Sequence, residues 1–139
     1  MIILDTNVIS EVMRPLPERR VVDWLDQQNM DAVFLTAISE AELQYGIAIM
    51  PRGRRKNLLA ESLEATLVED FGGRILPFDS KAAQAYAFLR AKRRATGRPI
   101  KEMDTQIAAI AATRGAEIAT RNVRDFDDCG ITIFNPWAD

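Results

Sequence analysis

The stretch Ile2-Ile3-Leu4-Asp5-Thr6-Asn7 decides the fold. Three consecutive apolar residues read as a short strand, about residues 2–5, covered on both faces as in a parallel sheet. Asp5 then stands at the strand's carboxyl end, where open α/β sheets bind their ligands. Working outward, strands and helices alternate. A short helix runs through Val8, Ile9, Val12 and Met13 until Pro15 and Pro17 break it, and a second uses Val21, Val22, Trp24 and Leu25 as its apolar side. Val33-Phe34-Leu35 reads as a strand. Ser39 caps the next helix, with Glu42 at capping-box spacing. A long helix spans about Arg55 to Phe71 and stops at Gly72-Gly73; Ile75-Leu76 follows as a strand. Asp79 caps another long helix ending near Gly97 and Pro99, and a further helix covers about Glu102 to Arg114, closed by Gly115. Ile118-Ala119-Thr120 and Ile131-Thr132-Ile133-Phe134 are the last strands. This alternation predicts an α/β fold, a parallel sheet with helices on both faces, in one domain over 1–139.

The 139 residues are 47% apolar and 27% charged, with a formal net charge of −2. Such a chain builds a core and is not disordered. It has no global field to attract nucleic acid, so any such binding needs a local basic surface. Cys129 is the single cysteine, which excludes an intrachain disulfide and suits a reducing compartment. No apolar run is long enough to span a membrane and no signal peptide is evident; a soluble cytoplasmic protein is expected. There is no histidine. Ser-His-Asp and Cys-His sites are excluded, as is ribonuclease chemistry between two imidazoles. A zinc site lacks nitrogen and sulfur ligands. What remains is oxygen chemistry, suited to Mg²⁺ or Mn²⁺.

The acids that could supply it each have a plainer reading. Asp5 serves equally as a helix N-cap, and Asn7 as a turn residue. Glu42 is explained by its spacing from Ser39, and periodicity does not choose between it and Glu40. Asp104 shares a helical face with Ile107, Ala108 and Ala111, the face that packs on the sheet; a carboxylate at the edge of a buried stripe must be paired or metal-bound, although first-turn charge also favours it. Asn122 and Asp125 follow the strand ending at Thr120, in a turn-rich stretch with Asp127 and Asp128. Their force is joint: several carboxylates sharing one crevice cannot all stay ionised without a cation.

Asp5-Thr6-Asn7, Ala41-Glu42-Leu43 with Gly46, Asp104 before Ile107-Ala108-Ala109, Thr120 through Phe126 and Asn135-Pro136-Trp137 together resemble the PIN-domain ribonucleases. Their order over nearly the whole chain narrows the resemblance to VapC/FitB-like toxins of bacterial toxin–antitoxin pairs. It implies a PIN-like central parallel sheet of four or five strands flanked by helices. It implies an acidic site at Asp5, Glu42 and Asp104, which chooses Glu42 over Glu40, with Asp125 as the fourth acid and Thr6, Asn7, Thr120 and Asn122 in support. Many members carry an aspartate where this chain has Asn122. Mg²⁺ or Mn²⁺ would sit on Asp5 and Asp104, and water would cleave RNA to leave a 5′-phosphate and a 3′-hydroxyl.

A cationic track for RNA is sought in Arg93 and Arg94, from the run Arg90 to Lys101, and in Arg121 and Arg124, although such runs are usually solvated faces. The resemblance also implies a homodimer and a cognate antitoxin that carries the operator-DNA contact. Trp24, Leu25, Met50, Leu58 and Leu59 are candidates for the antitoxin groove, with core packing as the alternative. Two other readings compete. One is a phosphotransfer domain with Asp5 as nucleophile, although Asn7 stands where those phosphatases want a second acid. The other is a catalytically degenerate PIN fold acting as a binding or regulatory module.

Overall fold

In the computed structural model, which describes residues 1–138, five parallel strands form one sheet in the order β3-β2-β1-β4-β5. The strands are β1 (Ile2–Leu4), β2 (Val33–Thr36), β3 (Ile75–Leu76), β4 (Glu117–Ala119) and β5 (Ile133–Phe134). The helices are α1 (Thr6–Val12), α2 (Arg19–Asp26), α3 (Ala37–Ala48), α4 (Arg54–Ala65), α5 (Ser80–Ala95) and α6 (Glu102–Arg114). The central strand β1 pairs with β2 on one side, Ile2 opposite Val33, and with β4 on the other, Ile2 opposite Glu117. From β1 the chain winds outward to β3 in one direction, and through β4 to β5 in the other. The reversal falls between β1 and β4, so a crevice opens beyond their carboxyl ends.

Successive strand residues face opposite layers. Ile3 and Ile118 point into a core with Ile107, Ala108, Ile110 and Phe126. Their neighbours Leu4 and Ala119 point into a second core with Val8, Ile9, Leu35, Leu63 and Phe71. That two-sided burial is why the strands read as unbroken apolar runs. Each fully buried aliphatic side chain contributes roughly 1.5–3 kcal/mol. Helix α6 buries Ile107 through Ala111; its alanines allow close approach on several sides. It ends where Gly115 adopts φ +62°, a left-handed cap that donates to the Ala111 and Ala112 carbonyls and that glycine adopts without strain.

Three local expectations are corrected. Helix α3 is capped by Thr36, not Ser39: Thr36 is extended at the end of β2, and its Oγ1 accepts from the Ser39 amide at 3.1 Å. Ser39 is therefore inside the first turn and fully buried. The helix expected over about 55–71 is α4 followed by a π-helical turn, Thr66–Asp70, in which the Phe71 amide reaches back to the Thr66 carbonyl. The last strand is shorter than the run 131–134, and Asn122 leads into a 3₁₀ turn, Val123–Phe126.

Candidate active site

The crevice between β1 and β4 holds a cleft of about 530 Å³. Asp5, Thr6 and Asn7 reach it from the end of β1, Glu42 from α3, Asp104 from the first turn of α6, and Asn122 and Asp125 from the 3₁₀ turn after β4. Ser10, Lys101, Glu102 and Met103 complete its lining, and among the described residues Lys101 is its only cation.

Both roles considered for Asp5 occur together. As the N-cap of α1, its Oδ1 accepts from the Thr6 amide at 2.8 Å. Its other oxygen, Oδ2, accepts from Thr120 Oγ1 at 2.7 Å and from Asn7 Nδ2 at 3.3 Å. The Asp5 amide bonds the Ala119 carbonyl at 2.9 Å, so strand pairing fixes the carboxylate's backbone. Burial pushes the Asp5 carboxyl upward, against the pull of the Thr120 and Thr6 bonds, and the charge of Asp125 adds to the rise.

Glu42 is held by Thr6, whose Oγ1 lies 3.0 Å from Oε1 and 2.9 Å from Ser39 Oγ. The Thr6 hydroxyl has one proton, so satisfying both contacts requires Ser39 to donate to Thr6 and Thr6 to donate to Glu42. Burial raises the Glu42 carboxyl, and so does the Asp5 charge. Asp104 has no hydrogen bond lowering its proton affinity. Burial and then the charges of Asp5, Asp125 and Glu42 push it up to about 6, with only Lys101 opposing them. Three carboxylates thus act on Asp104 across one cleft. Among the described residues no three of these acids close into a ready-made metal cage. An open ring of hard oxygens, one of them uncommitted, fits a Mg²⁺-like ion that keeps most of its waters and takes one or two carboxylates.

The residues expected to contact RNA do not form one group. Arg94, Arg121 and Arg124 are exposed, and the Arg121 guanidinium lies 5.3 Å from the Trp137 ring centroid. Arg93 is a correction: it is 5% exposed, and its guanidinium bonds the carbonyls of Arg98, Asp125 and Asp127. The helical period turns Arg93 inward where Arg94 faces solvent. Of the groove candidates, Met50, Leu58 and Leu59 line an apolar trough of about 710 Å³ between α1, α3 and α4. Trp24 stacks on Phe134 and Leu25 packs on the core. Sequence reasoning missed Ser39 as a partner of Thr6, because its spacing to Glu42 reads as capping. It missed Ser10 in the cleft for want of any signal.

A parallel sheet reversing beside an acidic crevice defines the class. The profile described as "PIN domain" matches residues 2–130, and the chain belongs to the PIN-domain family. It is 45% identical to the toxin FitB of Neisseria gonorrhoeae, over 100% of both chains. It is 42% identical to the VapC ribonuclease Y4jK of Sinorhizobium fredii, over 99% of this chain and 98% of that protein. Its fold superposes with a TM-score of 0.94 on a chain in the structure of FitAB bound to an IR36 DNA fragment, at 43% identity, covering 100% of this chain and 97% of that one.

Proposed function

We propose that this protein is the toxin of a toxin–antitoxin pair, a divalent-metal-dependent ribonuclease that hydrolyses RNA phosphodiesters. The observation that carries the reading is the convergence of Asp5, Glu42, Asp104 and Asp125 on one cleft, with Asp104 lifted to about 6 by burial and its acidic neighbours. Asp5 and Asp104 would hold Mg²⁺ or Mn²⁺, with Asp125 as the fourth acid and Asn122 offering an uncharged oxygen. When bound, such a cation supplies Lewis-acid stabilisation of phosphoryl oxygens and lowers the pKa of water in its shell. Glu42, oriented by Thr6 and raised in proton affinity, is the carboxylate left to take the proton of the attacking water. Lys101 stands at the rim where a phosphate would enter, and the exposed Arg94, Arg121 and Arg124 lie outside the cleft as backbone contacts.

The apolar trough shares Thr6, Ser10 and Glu42 with the acidic cleft. An antitoxin segment lying in it would have direct access to the carboxylates, and a basic side chain there would compete with the cation. The similarity to the toxin FitB and to the DNA-bound FitAB assembly supports an antitoxin partner and DNA contact by the pair; the proposal adds a homodimer whose operator contact runs through the antitoxin.

The test is RNA cleavage by wild type and Asp5→Ala with Mg²⁺ or Mn²⁺ and with chelator. Cleavage that needs both the metal and Asp5, leaving 5′-phosphate and 3′-hydroxyl ends, is expected. A 2′,3′-cyclic phosphate product would overturn the mechanism. Inactivity of the wild type with either metal would favour a binding module, and a phosphoryl group trapped on Asp5 a phosphotransfer domain.

A further inference from the structure

A buried arginine behind the cleft is not used by the chemistry above. Arg93, near the carboxyl end of α5, is almost fully buried. Its Nη1 donates to the Asp125 carbonyl at 3.1 Å and the Asp127 carbonyl at 2.7 Å, and its Nε to the Arg98 carbonyl at 2.7 Å. Cys129 Sγ lies 3.8 Å from Nη1. A buried guanidinium is tolerated only when its donors are met; here the Arg98 carbonyl before α6 meets Nε, and two carbonyls of the segment after β4 meet Nη1. A second fastening lies outside: Arg98 bridges the carboxylates of Asp127 at 3.2 Å and Asp128 at 2.8 Å. The clamped segment is the one whose other face presents Asp125 to the cleft. Within it the Asp125 amide bonds the Asn122 carbonyl and the Asp127 amide the Arg124 carbonyl.

We propose that Arg93 is a positioning residue for catalysis: from behind the cleft its guanidinium fork holds the 125–127 main chain, and so fixes Asp125 opposite Asp5 and Asp104. This rests on the reading of Asp125 as the fourth acid. A planar fork reaching several carbonyls is not reproduced by an ammonium. Arg93→Lys, which keeps the charge, and Arg93→Met, which keeps the bulk, therefore have the same consequence.

The experiment measures metal-dependent cleavage, binding of a pool of labelled single-stranded RNAs across salt, and amide hydrogen exchange. Both variants are expected to lose about 10- to 100-fold in kcat, the scale of a small misplacement, with KM and the salt slope of RNA binding unchanged. Placed in an Asp125→Asn background they are expected to cost nothing further, as for residues acting as one unit. The Asp125 and Asp127 amides should exchange faster, while the Asp5 amide stays protected. Should Arg93→Met not fold, Arg93→Lys carries every measurement. A shallower salt slope with unaltered exchange would make Arg93 a phosphate contact and overturn the proposal, as would an additive loss with Asp125→Asn. Unaltered exchange beside an impaired Asp125→Asn overturns the clamp alone. Full activity of Asp125→Asn overturns the reading of Asp125, and with it the clamp's role in catalysis.

Discussion

The Thr120 hydroxyl donates to Asp5 Oδ2 at 2.7 Å, joining the carboxyl ends of β4 and β1 in front of their last backbone bond. Thr120 Oγ1 itself accepts from Asn7 Nδ2 at 3.3 Å and from the Asn122 amide at 3.0 Å. One buried hydroxyl therefore organises an acid, an amide and the start of the Asp125 turn. Thr120→Val keeps the shape and removes the donor. Hydrogen bonds to charged groups are worth about 1.5–3 kcal/mol, so cleavage should fall about 10- to 100-fold. The acid limb of the pH–rate profile should also move upward, because the bond that lowers Asp5 is gone. Thr120→Ser should retain most of the rate.

Asp104 ties stability to pH. Its folded carboxyl is pushed up to about 6 from an ordinary 3.8. A group that holds its proton more tightly when folded stabilises the fold below its unfolded pKa and loses that contribution as pH rises through the folded one. In urea unfolding without metal, Asp104→Asn should match wild type near pH 4 and exceed it at pH 7, by on the order of 1–3 kcal/mol. Adding Mn²⁺ should raise the Tm of wild type and leave that of Asp104→Asn nearly unchanged.

Asn122 lines the cleft with its side chain making no cap bond. Asn122→Asp adds a charge to a ring that already raises Asp104. Calorimetry should show Mn²⁺ binding about 3- to 10-fold tighter, the scale of one more partly screened charge. The metal-free variant should melt below wild type.

At the close of the π-helical turn, a Cβ on Gly72 would meet the Val68 carbonyl oxygen at 2.5 Å. That neighbour is main chain and cannot swing aside. Gly72→Ala should cost about 1–3 kcal/mol in denaturant unfolding, although Gly72 does not adopt a positive φ. Gly73, at φ +77° with open space around it, should cost about 1 kcal/mol on the same change through conformation alone.

Much of this was legible in the chain because burial leaves a periodic trace. Ile2–Leu4 and Glu102–Arg114 announce themselves through apolar spacing, and Gly115 through the left-handed cap it supplies. Asp5 was ambiguous for a physical reason: it caps α1 and faces the cleft at once. Arg93 and Arg94 were indistinguishable as a basic run, since charge alone does not report which side of α5 turns inward. The Ser39–Glu42 spacing reads as a capping box, but Thr36, at the end of β2, takes the Ser39 amide. Convergence of residues 5, 42, 104 and 125 depends on where the sheet reverses, a property of the strand order that no local window contains.

The register that sets Ile2 beside Glu117 and Leu4 beside Ala119 has a consequence for biosynthesis. The acidic pocket needs the segment from 117 to 125, which leaves the ribosome long after Asp5 has emerged. Pairing between segments so far apart in sequence is also slow to form. A chain ending before β4 therefore lacks Asn122 and Asp125 from its pocket, and the Thr120 hydroxyl that holds Asp5.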